Sequence, residues 1–387
     1  MSPEWDLVVV GAGPAGSQAA RCAALRGAKV LLLDKKDFPR PKICGGLLSA
    51  KSLQALGLPL APQVGERRIS VVQLVGPDGE TCLAREAAFL GFTTDRARLD
   101  AFMVEEACRA GAEFRPATAC TGIGEEKEGH INIRTHSGSI TARGVIGADG
   151  VFSKVARSLF SGRPSPWRLG LAVAAELPLP SSRIEELFSG GCAIQFYCLP
   201  LPYSFGWAFP YREKVNLGIG TWAKTGKNLV PLFGGFARQL QLRWGVGPYK
   251  LKVRGAFLPA GGLTWRTGRG QVILAGDAAG FADPFSGEGI FFALRSGQLA
   301  AETLVAALGE RGAGPSSAQG LYNRACGQEF RTELSRSLML AILSGTKRRF
   351  FRRLASEPQR LELFERIMTN PKAYQTRPAL DIERQLH

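Results

Sequence analysis

The sequence predicts an α/β fold: a doubly wound nucleotide-binding domain, interrupted by an antiparallel β-sheet domain and followed by a helical C-terminal segment. Three observations support this fold class. A glycine motif between a buried strand and a helix opens the chain, aromatic strands with Pro- and Gly-rich turns fill its middle, and a buried strand before a glycine-rich helix start follows. The nucleotide-binding domain is therefore expected in two parts.

The first part begins with a strand, a helix and a second strand. Residues 6–10 form an unbroken apolar run, residues 14–26 have the Ala-rich pattern of a helix, and residues 29–34 form another apolar run. A helix over residues 95–110 is predicted next, closed by Gly111. Further strands of this domain are predicted over 113–121, 131–135 and 139–146.

The middle of the chain has the alternation and the turn residues of antiparallel strands. They are predicted over 169–177, 192–199, 204–209 and 215–221. A buried strand over 271–275 and a helix over 288–308 then restore the nucleotide-binding pattern. The expected segments are the nucleotide-binding first part at 1–165, the substrate-domain sheet at 166–260, the nucleotide-binding last part at 261–315 and a basic helical segment at 316–387. Strands near 60–95 are left open as a further contribution to the sheet domain.

Composition favours a compact enzyme. A chain of 387 residues is long enough for two substantial cores. Of these residues, 45% are hydrophobic and 21% are charged, which is typical of a compact protein. We find no apolar run near the roughly 18 residues of a membrane-spanning helix, and the first residues enter a strand pattern rather than a cleavable signal. The eight cysteines form no C-x-x-C pair and the three histidines lie in no recognisable motif, so no metal site is predicted. The expected location is cytoplasmic.

The net charge of +16 predicts affinity for an anionic surface or substrate, unless the protein is simply a basic enzyme. Residues 347–353 place five cations around two phenylalanines on a predicted helix. This segment fits peripheral contact with an anionic membrane at its inner surface, the binding of a substrate phosphate, or a solvated basic face. The sequence leaves these three interpretations open.

The first chemical motif is G-x-G-x-x-G at residues 11–16. Gly11 would make the tight turn, Gly13 would admit a diphosphate, and Gly16 would let the helix pack on the strand. The helix N-terminus would then face the phosphates, and Asp34 would accept a hydrogen bond from a ribose hydroxyl. The alternative is a glycine turn with a capping aspartate. The cofactor-binding residues assigned here are Gly11, Gly13, Pro14, Ala15, Gly16, Asp34 and Lys35.

A second motif runs from Gly276 to Ile290 and indicates a flavin. Asp277 ends a buried strand, where it could hold a ribityl hydroxyl, and the amides near Gly289 and Ile290 open a helix. A helix N-terminus stabilises the negative charge that reduced flavin carries near N1. Helix capping would explain Asp277 or Ser286 alone, but not the whole run. The residues assigned to cofactor binding are Gly276, Asp277, Pro284, Gly287, Gly289 and Ile290.

These motifs resemble those of FAD-dependent enzymes with the p-hydroxybenzoate hydroxylase fold, which also have a G-A-D-G segment, here containing Asp149. Within that fold the chain is more similar to the geranylgeranyl reductase family. That family has a K-x-C-G-G segment, an R-x-x-[FL]-D helix start and a Y-x-W-x-F-P strand. The matching residues are Lys42, Cys44, Gly45, Gly46, Arg96, Asp100, Phe205, Trp207, Phe209 and Pro210. Phe205 replaces the family's tyrosine, and Tyr203 stands two residues earlier.

The resemblance implies an FAD-dependent reductase that saturates C=C bonds of a polyprenyl group on a lipid, a prenyl diphosphate, a quinone or a pigment precursor. It places FAD near Ala15, Asp34, Cys44, Gly45, Arg96, Asp277, Gly289 and Ile290. The external electron donor is left open between NAD(P)H and a carrier protein such as ferredoxin. Tyr203, Phe205, Trp207, Phe209 and Pro210 are the expected substrate residues, although alternating aromatic residues also fit ordinary core packing.

Cys44 has three interpretations. It could be a buried structural thiol, a redox partner without a second cysteine nearby, or a residue beside the flavin that shapes the site or delivers a proton. We favour the third and assign Cys44 as the catalytic candidate.

Two other functions compete. Flavin monooxygenases and halogenases share the fold, and the segment Phe38, Pro39 and Arg40 is similar to halogenases, but Cys-Gly-Gly is not expected in them. A non-catalytic lipid- or nucleic-acid-binding protein is the third class. The density of flavin motifs argues against it, so no nucleic-acid partner is expected.

Overall fold

The computed structural model describes residues 3–76, 79, 82–124, 130–161, 165, 168–199, 201, 203–226, 228–260, 265–309, 316–344 and 361–375. The chain divides into two compact units. The first unit consists of Met1–Pro41, Ala97–Ser165 and Gly261–Leu334. The second unit consists of Lys42–Arg96, Pro166–Ala260 and Ser335–His387. The chain therefore alternates between the units.

The strands of the described residues are, in chain order, β1 (Trp5–Val10), β2 (Val30–Leu33), β3 (Leu47–Ser49), β4 (Gly65–Val75), β5 (Cys82–Thr94), β6 (Glu113–Arg115), β7 (Cys120–Ile123), β8 (Ile131–Thr135), β9 (Gly138–Gly147), β10 (Leu169–Pro178), β11 (Ala193–Cys198), β12 (Phe205–Pro210), β13 (Lys214–Trp222), β14 (Arg254–Pro259), β15 (Gly268–Arg269) and β16 (Val272–Leu274). The α-helices are α1 (Pro14–Ala24), α2 (Ala50–Leu56), α3 (Arg96–Arg109), α4 (Lys154–Leu159), α5 (Ser181–Leu187), α6 (Leu229–Arg243), α7 (Ile290–Gly309), α8 (Ser316–Leu343) and α9 (Glu362–Thr369).

The sheet of the first unit has the order β15-β16-β9-β1-β2-β6, and β7 and β8 extend it beside β9. Strands β16, β9, β1, β2 and β6 run parallel to one another along this path, whereas β15 is antiparallel to β16. Val8, Val9 and all of β2 are almost completely buried, as expected of strands covered on both faces. This is the doubly wound architecture that the glycine motif predicted, and β1, α1 and β2 confirm its first elements.

The sheet of the second unit has the order β14-β10-β13-β12-β11-β4-β5-β3. Strands β10 to β13 confirm the four strands predicted for the middle of the chain. The sheet is not purely antiparallel, since β4 pairs in parallel with β11. One face packs against α5 and α6 through buried residues such as Phe188, Phe233 and Leu217.

The other face of this sheet carries a group that we call the aromatic cluster. Its buried members are Ile69, Val72, Leu90, Ala174, Ile194, Trp207, Phe209 and Met368. Phe196 and Phe205, which are partly buried, pack against them. The cluster therefore brings predicted substrate residues on β12 together with a helix, α9, that is distant in sequence.

One predicted element is wrong in detail. The single strand expected over 113–121 is two strands, β6 and β7, with a break between them. Pro116 has no backbone N–H for a sheet, and Ala117 has φ of +48°, which lies in the left-handed region. The alternation of the side chains concealed this break.

No helix in the described ranges combines the length and apolarity needed to cross a membrane. The basic segment 347–353 lies outside the described residues. Its predicted helix and its three interpretations stay predictions.

Candidate functional site

The glycine turn after β1 can accommodate only glycine at two positions. Gly11 has φ of +100°, and an added Cβ would lie 2.5 Å from the carbonyl oxygen of Ala148. At Gly16 an added Cβ would lie 1.7 Å from the carbonyl oxygen of Gly11. Gly13 is the N-cap of α1 and has no side chain, so the first amides of this helix are not covered by a capping group. The turn forms a cradle suited to a diphosphate.

Asp34 closes this turn from the end of β2. Its Oδ2 accepts a hydrogen bond from the amide of Ala12 at 2.9 Å, and its Oδ1 accepts one from the amide of Lys36 at 2.9 Å. The carboxylate therefore fixes the backbone of the glycine turn, as the capping alternative expected. Carboxylate oxygens accept more than one hydrogen bond, so a ribose hydroxyl remains compatible with this arrangement. The neighbouring Lys35 is exposed.

Arg40 is a residue of this region to which the sequence motifs assigned no role. Its guanidinium lies 3.5 Å from Asp34 Oδ2 and 3.4 Å from Asp100 Oδ2, and the side chain is only 17% exposed. Nη2 is 3.7 Å from the position that a Cβ on Gly13 would occupy. Among the described residues, the buried Nε has no hydrogen-bond partner. The guanidinium therefore lies beside the glycine cradle, where an arginine suits the diphosphate of a dinucleotide.

Asp149 has a structural partner at each oxygen. Oδ1 accepts a hydrogen bond from the Ser153 hydroxyl at 2.5 Å, and Oδ2 accepts one from the Lys154 amide at 2.6 Å. The carboxylate thus holds the start of α4. Burial raises the pKa of Asp149, and these hydrogen bonds oppose the shift. A role of Asp149 in cofactor binding stays a prediction.

The first half of α7 packs closely on the start of α1. At Gly297 an added Cβ would lie 2.2 Å from the carbonyl oxygen of Ala15, so glycine allows the two helices to meet. Gly276 has φ of +56°, and its amide donates to the Ser296 hydroxyl at 2.9 Å. A Cβ on Gly289 would lie 3.8 Å from Asp277 Oδ1. The structure therefore brings Ala15, Asp277 and the first residues of α7 to one place.

A compact loop connects Asp277 to α7. Asp283 Oδ1 accepts hydrogen bonds from the amides of Phe285 and Ser286 at 2.8 and 2.9 Å. The amide of Gly287 donates to the carbonyl of Asp283 at 2.9 Å, and Gly287 has φ of +73°. Pro284 and Gly287, both predicted to bind the cofactor, therefore shape a loop that leads into the N-terminus of α7.

In the second unit, the Cys-Gly-Gly segment is fastened to β12 and its neighbours. The side-chain amide of Asn216 donates to the Cys44 carbonyl at 3.2 Å. The Tyr211 hydroxyl lies 3.2 Å from the Gly45 carbonyl and 3.0 Å from that of Thr94. Burial raises the pKa of Tyr211 well above its usual value and nearby Cys44 adds to the effect, so the hydroxyl stays protonated and can donate.

The two glycines permit this close approach. A Cβ on Gly45 would lie 2.8 Å from the Phe209 ring, and one on Gly46 would lie 2.1 Å from the Tyr211 hydroxyl. Gly46 also has φ of +73°. The Cys44 side chain is partly exposed. The segment therefore places Gly45 beside Phe209 of the aromatic cluster and holds the backbone of Cys44 in position. Lys42, two residues earlier, is exposed, and Arg96 is buried at the first position of α3.

Trp207 is the best-anchored aromatic residue of β12. Its Nε1 donates to Asn216 Oδ1 at 2.8 Å, so Asn216 joins the indole to the Cys44 carbonyl. Glycine is required at position 218, since an added Cβ would lie 1.9 Å from the indole. A buried asparagine between the apolar residues Val215 and Leu217 of β13 was the available sequence signal for this link.

The other predicted substrate residues differ in their surroundings. Trp207 and Phe209 are each 6% exposed, which fits core packing, whereas Phe205 is partly exposed. Phe196 lies 5.4 Å from Phe209 and 6.5 Å from Phe205, ring centre to ring centre. Tyr203 stacks on Trp222 at 4.9 Å, and Pro210 ends the strand in a buried position.

Helix α9 covers part of the aromatic cluster. Met368 belongs to the cluster and Phe364 packs against it. Glu365 on the same helix pairs with Arg85 of β5, with Nε and Oε2 2.5 Å apart. The sequence predicted helix in this region but not this contact, because the partners lie far apart along the chain.

Comparison with known proteins agrees with this geometry. A family model for FAD dependent oxidoreductases matches residues 6–73, which include the glycine turn, Asp34 and the Cys-Gly-Gly segment. In the described residues, no group of three or more His, Cys, Asp and Glu side chains could hold a metal ion. The glycine cradle, Arg40 and the N-terminus of α7 suit a flavin dinucleotide. The chain is an FAD-dependent oxidoreductase.

Relatives narrow this class. Digeranylgeranylglycerophospholipid reductase 1 of Methanothermobacter thermautotrophicus is 32% identical over 353 residues, which cover 87% of this chain and 86% of the relative. Digeranylgeranylglycerophospholipid reductase 2 of Methanosphaera stadtmanae is 33% identical over 314 residues, 76% of each chain. The chain belongs to the geranylgeranyl reductase family, which confirms the resemblance seen in its motifs.

Solved structures support the fold. A geranylgeranyl bacteriochlorophyll reductase-like protein from Thermoplasma acidophilum superposes with a TM-score of 0.81 at 22% identity, over 98% of this chain and 99% of that one. The flavin-dependent brominase Bmp2 reaches 0.72 at 18% identity, over 98% and 97%. The predicted fold class is confirmed, and the two neighbours show that one fold carries two chemistries.

Proposed function

We propose that the protein saturates C=C bonds in the geranylgeranyl chains of a glycerophospholipid. The observation that supports this most strongly is the 32% identity, over 87% of the chain, to a protein named digeranylgeranylglycerophospholipid reductase. The arrangement of the Cys-Gly-Gly segment against an aromatic, apolar sheet face is compatible with a prenyl substrate. Prenyl diphosphates, quinones and pigment precursors are the other substrates that share this chemistry.

When bound, FAD would supply the hydride for one carbon of the double bond. The residues proposed to hold it are those of the glycine cradle, Asp34, Arg40, Asp277 and the first residues of α7. The aromatic cluster would supply an apolar wall that binds the prenyl chain and excludes water. Phe205 and Phe196, which remain partly exposed, are the ring faces available for such contact.

Cys44 is proposed as the residue that delivers a proton to the second carbon or shapes the site where this happens. Its backbone carbonyl is held by Asn216, which limits the movement of the thiol. Replacing Cys44 with alanine is expected to lower turnover by about 100-fold while FAD is retained, since positioned acids contribute roughly this much or more. Turnover is measured by mass spectrometry and FAD content by absorbance.

Cys192→Ala is the matched control, because Cys192 is also partly exposed and belongs to the same unit. It should turn over like the natural protein. If Cys44→Ala does the same with its FAD in place, Cys44 is a packing residue.

The function itself is tested without oxygen. The holoenzyme is reduced with dithionite and incubated with a digeranylgeranylglycerophospholipid, a geranylgeranyl diphosphate and a prenylated quinone. We expect the phospholipid to gain two hydrogens for each double bond that is reduced. No mass gain in any substrate, or turnover that requires oxygen, would contradict a reductase and favour the oxygen-using relatives.

Dithionite makes this result independent of the natural electron donor, which we propose is NAD(P)H or a small carrier protein such as ferredoxin. A phospholipid substrate would also bring the protein to a membrane surface. Peripheral contact with an anionic membrane is therefore part of the proposal, and the net charge of +16 supports it.

A further inference from the structure

A groove in the second unit lies apart from the residues discussed so far. Its volume of about 460 Å³ falls within the range of roughly 300–1,000 Å³ that is usual for small-molecule sites. Leu53, Leu60, Phe89 and Phe92 supply much of its apolar lining. None of the lining residues belongs to the aromatic cluster. The groove is therefore a separate feature of this unit.

Two exposed arginines of the groove, Arg68 and Arg212, are fixed in place by backbone carbonyls. Arg212 Nη2 donates to the carbonyls of Gly65 at 3.0 Å and Pro62 at 3.3 Å. Arg68 Nη2 donates to the Ala88 carbonyl at 2.6 Å, and its guanidinium lies 5.0 Å from the centre of the Phe89 ring. A guanidinium has five N–H donors, so each retains donors for a ligand.

The charged side chains that line the groove do not cancel one another. In the part of the chain that the structure describes, no carboxylate forms an ion pair with Arg68 or Arg212. Glu66 is the acidic residue of the lining, and its carboxylate accepts a hydrogen bond from the Arg212 amide at 3.3 Å. Two arginines and one glutamate leave one net positive charge. This complements the single negative charge of a phosphodiester.

We propose that this groove binds one anionic phospholipid at a membrane surface. The phosphate would lie between Arg68 and Arg212, where two preorganised guanidinium groups favour it. A hydrocarbon chain would lie along Phe89, Phe92 and Leu60, whose apolar surfaces favour a lipid over a free phosphate. The site would hold the protein at the membrane, and it does not depend on which substrate is reduced.

The test compares binding of the holoenzyme to vesicles of phosphatidylcholine with and without phosphatidylglycerol. Flotation should show binding to the anionic vesicles. The double variant Arg68→Gln and Arg212→Gln should bind them more weakly by about tenfold or more, since each basic group near an anionic membrane contributes substantially. Thermal unfolding of the variant verifies that it is folded.

The matched control neutralises Lys252 and Arg254, two exposed cations of the same unit outside the groove, as Lys252→Gln and Arg254→Gln. It removes the same charge and should keep most of the affinity. Leu60→Glu, which leaves both arginines intact, should weaken binding like the arginine pair. Equal losses in the two double variants, unchanged binding of the arginine variants, or no preference for anionic vesicles would overturn the proposal.

Discussion

Replacing Gly16 with alanine is expected to yield a protein that purifies without FAD and unfolds at a lower temperature. The added Cβ would lie 1.7 Å from the Gly11 carbonyl oxygen and 3.3 Å from the Ala148 side chain. Backbone atoms cannot yield as a flexible side chain does, so α1 must move away from the glycine turn. Overpacking of this kind costs about 1–3 kcal/mol or more. It also misplaces the helix N-terminus that would face the diphosphate.

The measurements are the flavin absorbance of the purified protein and its thermal unfolding midpoint. Gly320→Ala is the control, because Gly320 lies in α8 and an added Cβ there meets nothing within 4 Å. Alanine is the better helix former by about 1 kcal/mol, so this variant should keep its FAD and be at least as stable. A Gly16→Ala protein with full FAD content would show that the turn is not the diphosphate site.

Replacing Gly46 with alanine is expected to cost about 3 kcal/mol of folding free energy or more and to reduce turnover at least 100-fold. The added Cβ would lie 2.1 Å from the Tyr211 hydroxyl and 2.3 Å from the Thr94 carbonyl oxygen. The left-handed φ of +73° adds strain of roughly 1–2 kcal/mol for a residue with a Cβ. Moving this segment would separate Cys44 from the support of Asn216.

Urea unfolding and anaerobic turnover of the reduced enzyme check this result. Gly235→Ala serves as the control, since Gly235 lies in α6 of the same unit and an added Cβ meets nothing within 4 Å. It should leave turnover unchanged. Normal turnover and stability of Gly46→Ala would mean that the segment tolerates a shift and does not position the thiol.

The sequence was sufficient to predict those elements whose residue pattern lies within one short segment of the chain. The buried run of β1, the glycine turn and the helix start at Pro14 lie within one short segment, and each has its own residue pattern. Asp277 and the start of α7 were found in the same way. The structure adds the contact between α7 and α1 that Gly297 allows. This contact could not be predicted from either helix alone.

Features that depend on distant partners were not predicted. The parallel pairing of β4 with β11 joins strands separated by more than one hundred residues, and alternation indicates only which faces of a strand are buried. The position of Arg40 beside Asp100 and Gly13 joins residues that are well separated in the sequence. The link from Trp207 through Asn216 to Cys44 likewise joins three separate segments. A single sequence contains the residues of these contacts but not their pairing.

The alternation of the chain between its two units affects how the protein is made. Strand β16 pairs with β9, and α7 packs on α1, yet both follow the whole middle segment in the chain. At ordinary rates of translation, α1 waits on the order of tens of seconds before α7 is synthesised. During this interval the edge of β9 and one side of α1 lack their final partners. The need for chaperones should therefore be greatest while the middle of the chain leaves the ribosome, before β16 has been synthesised and can pair with β9.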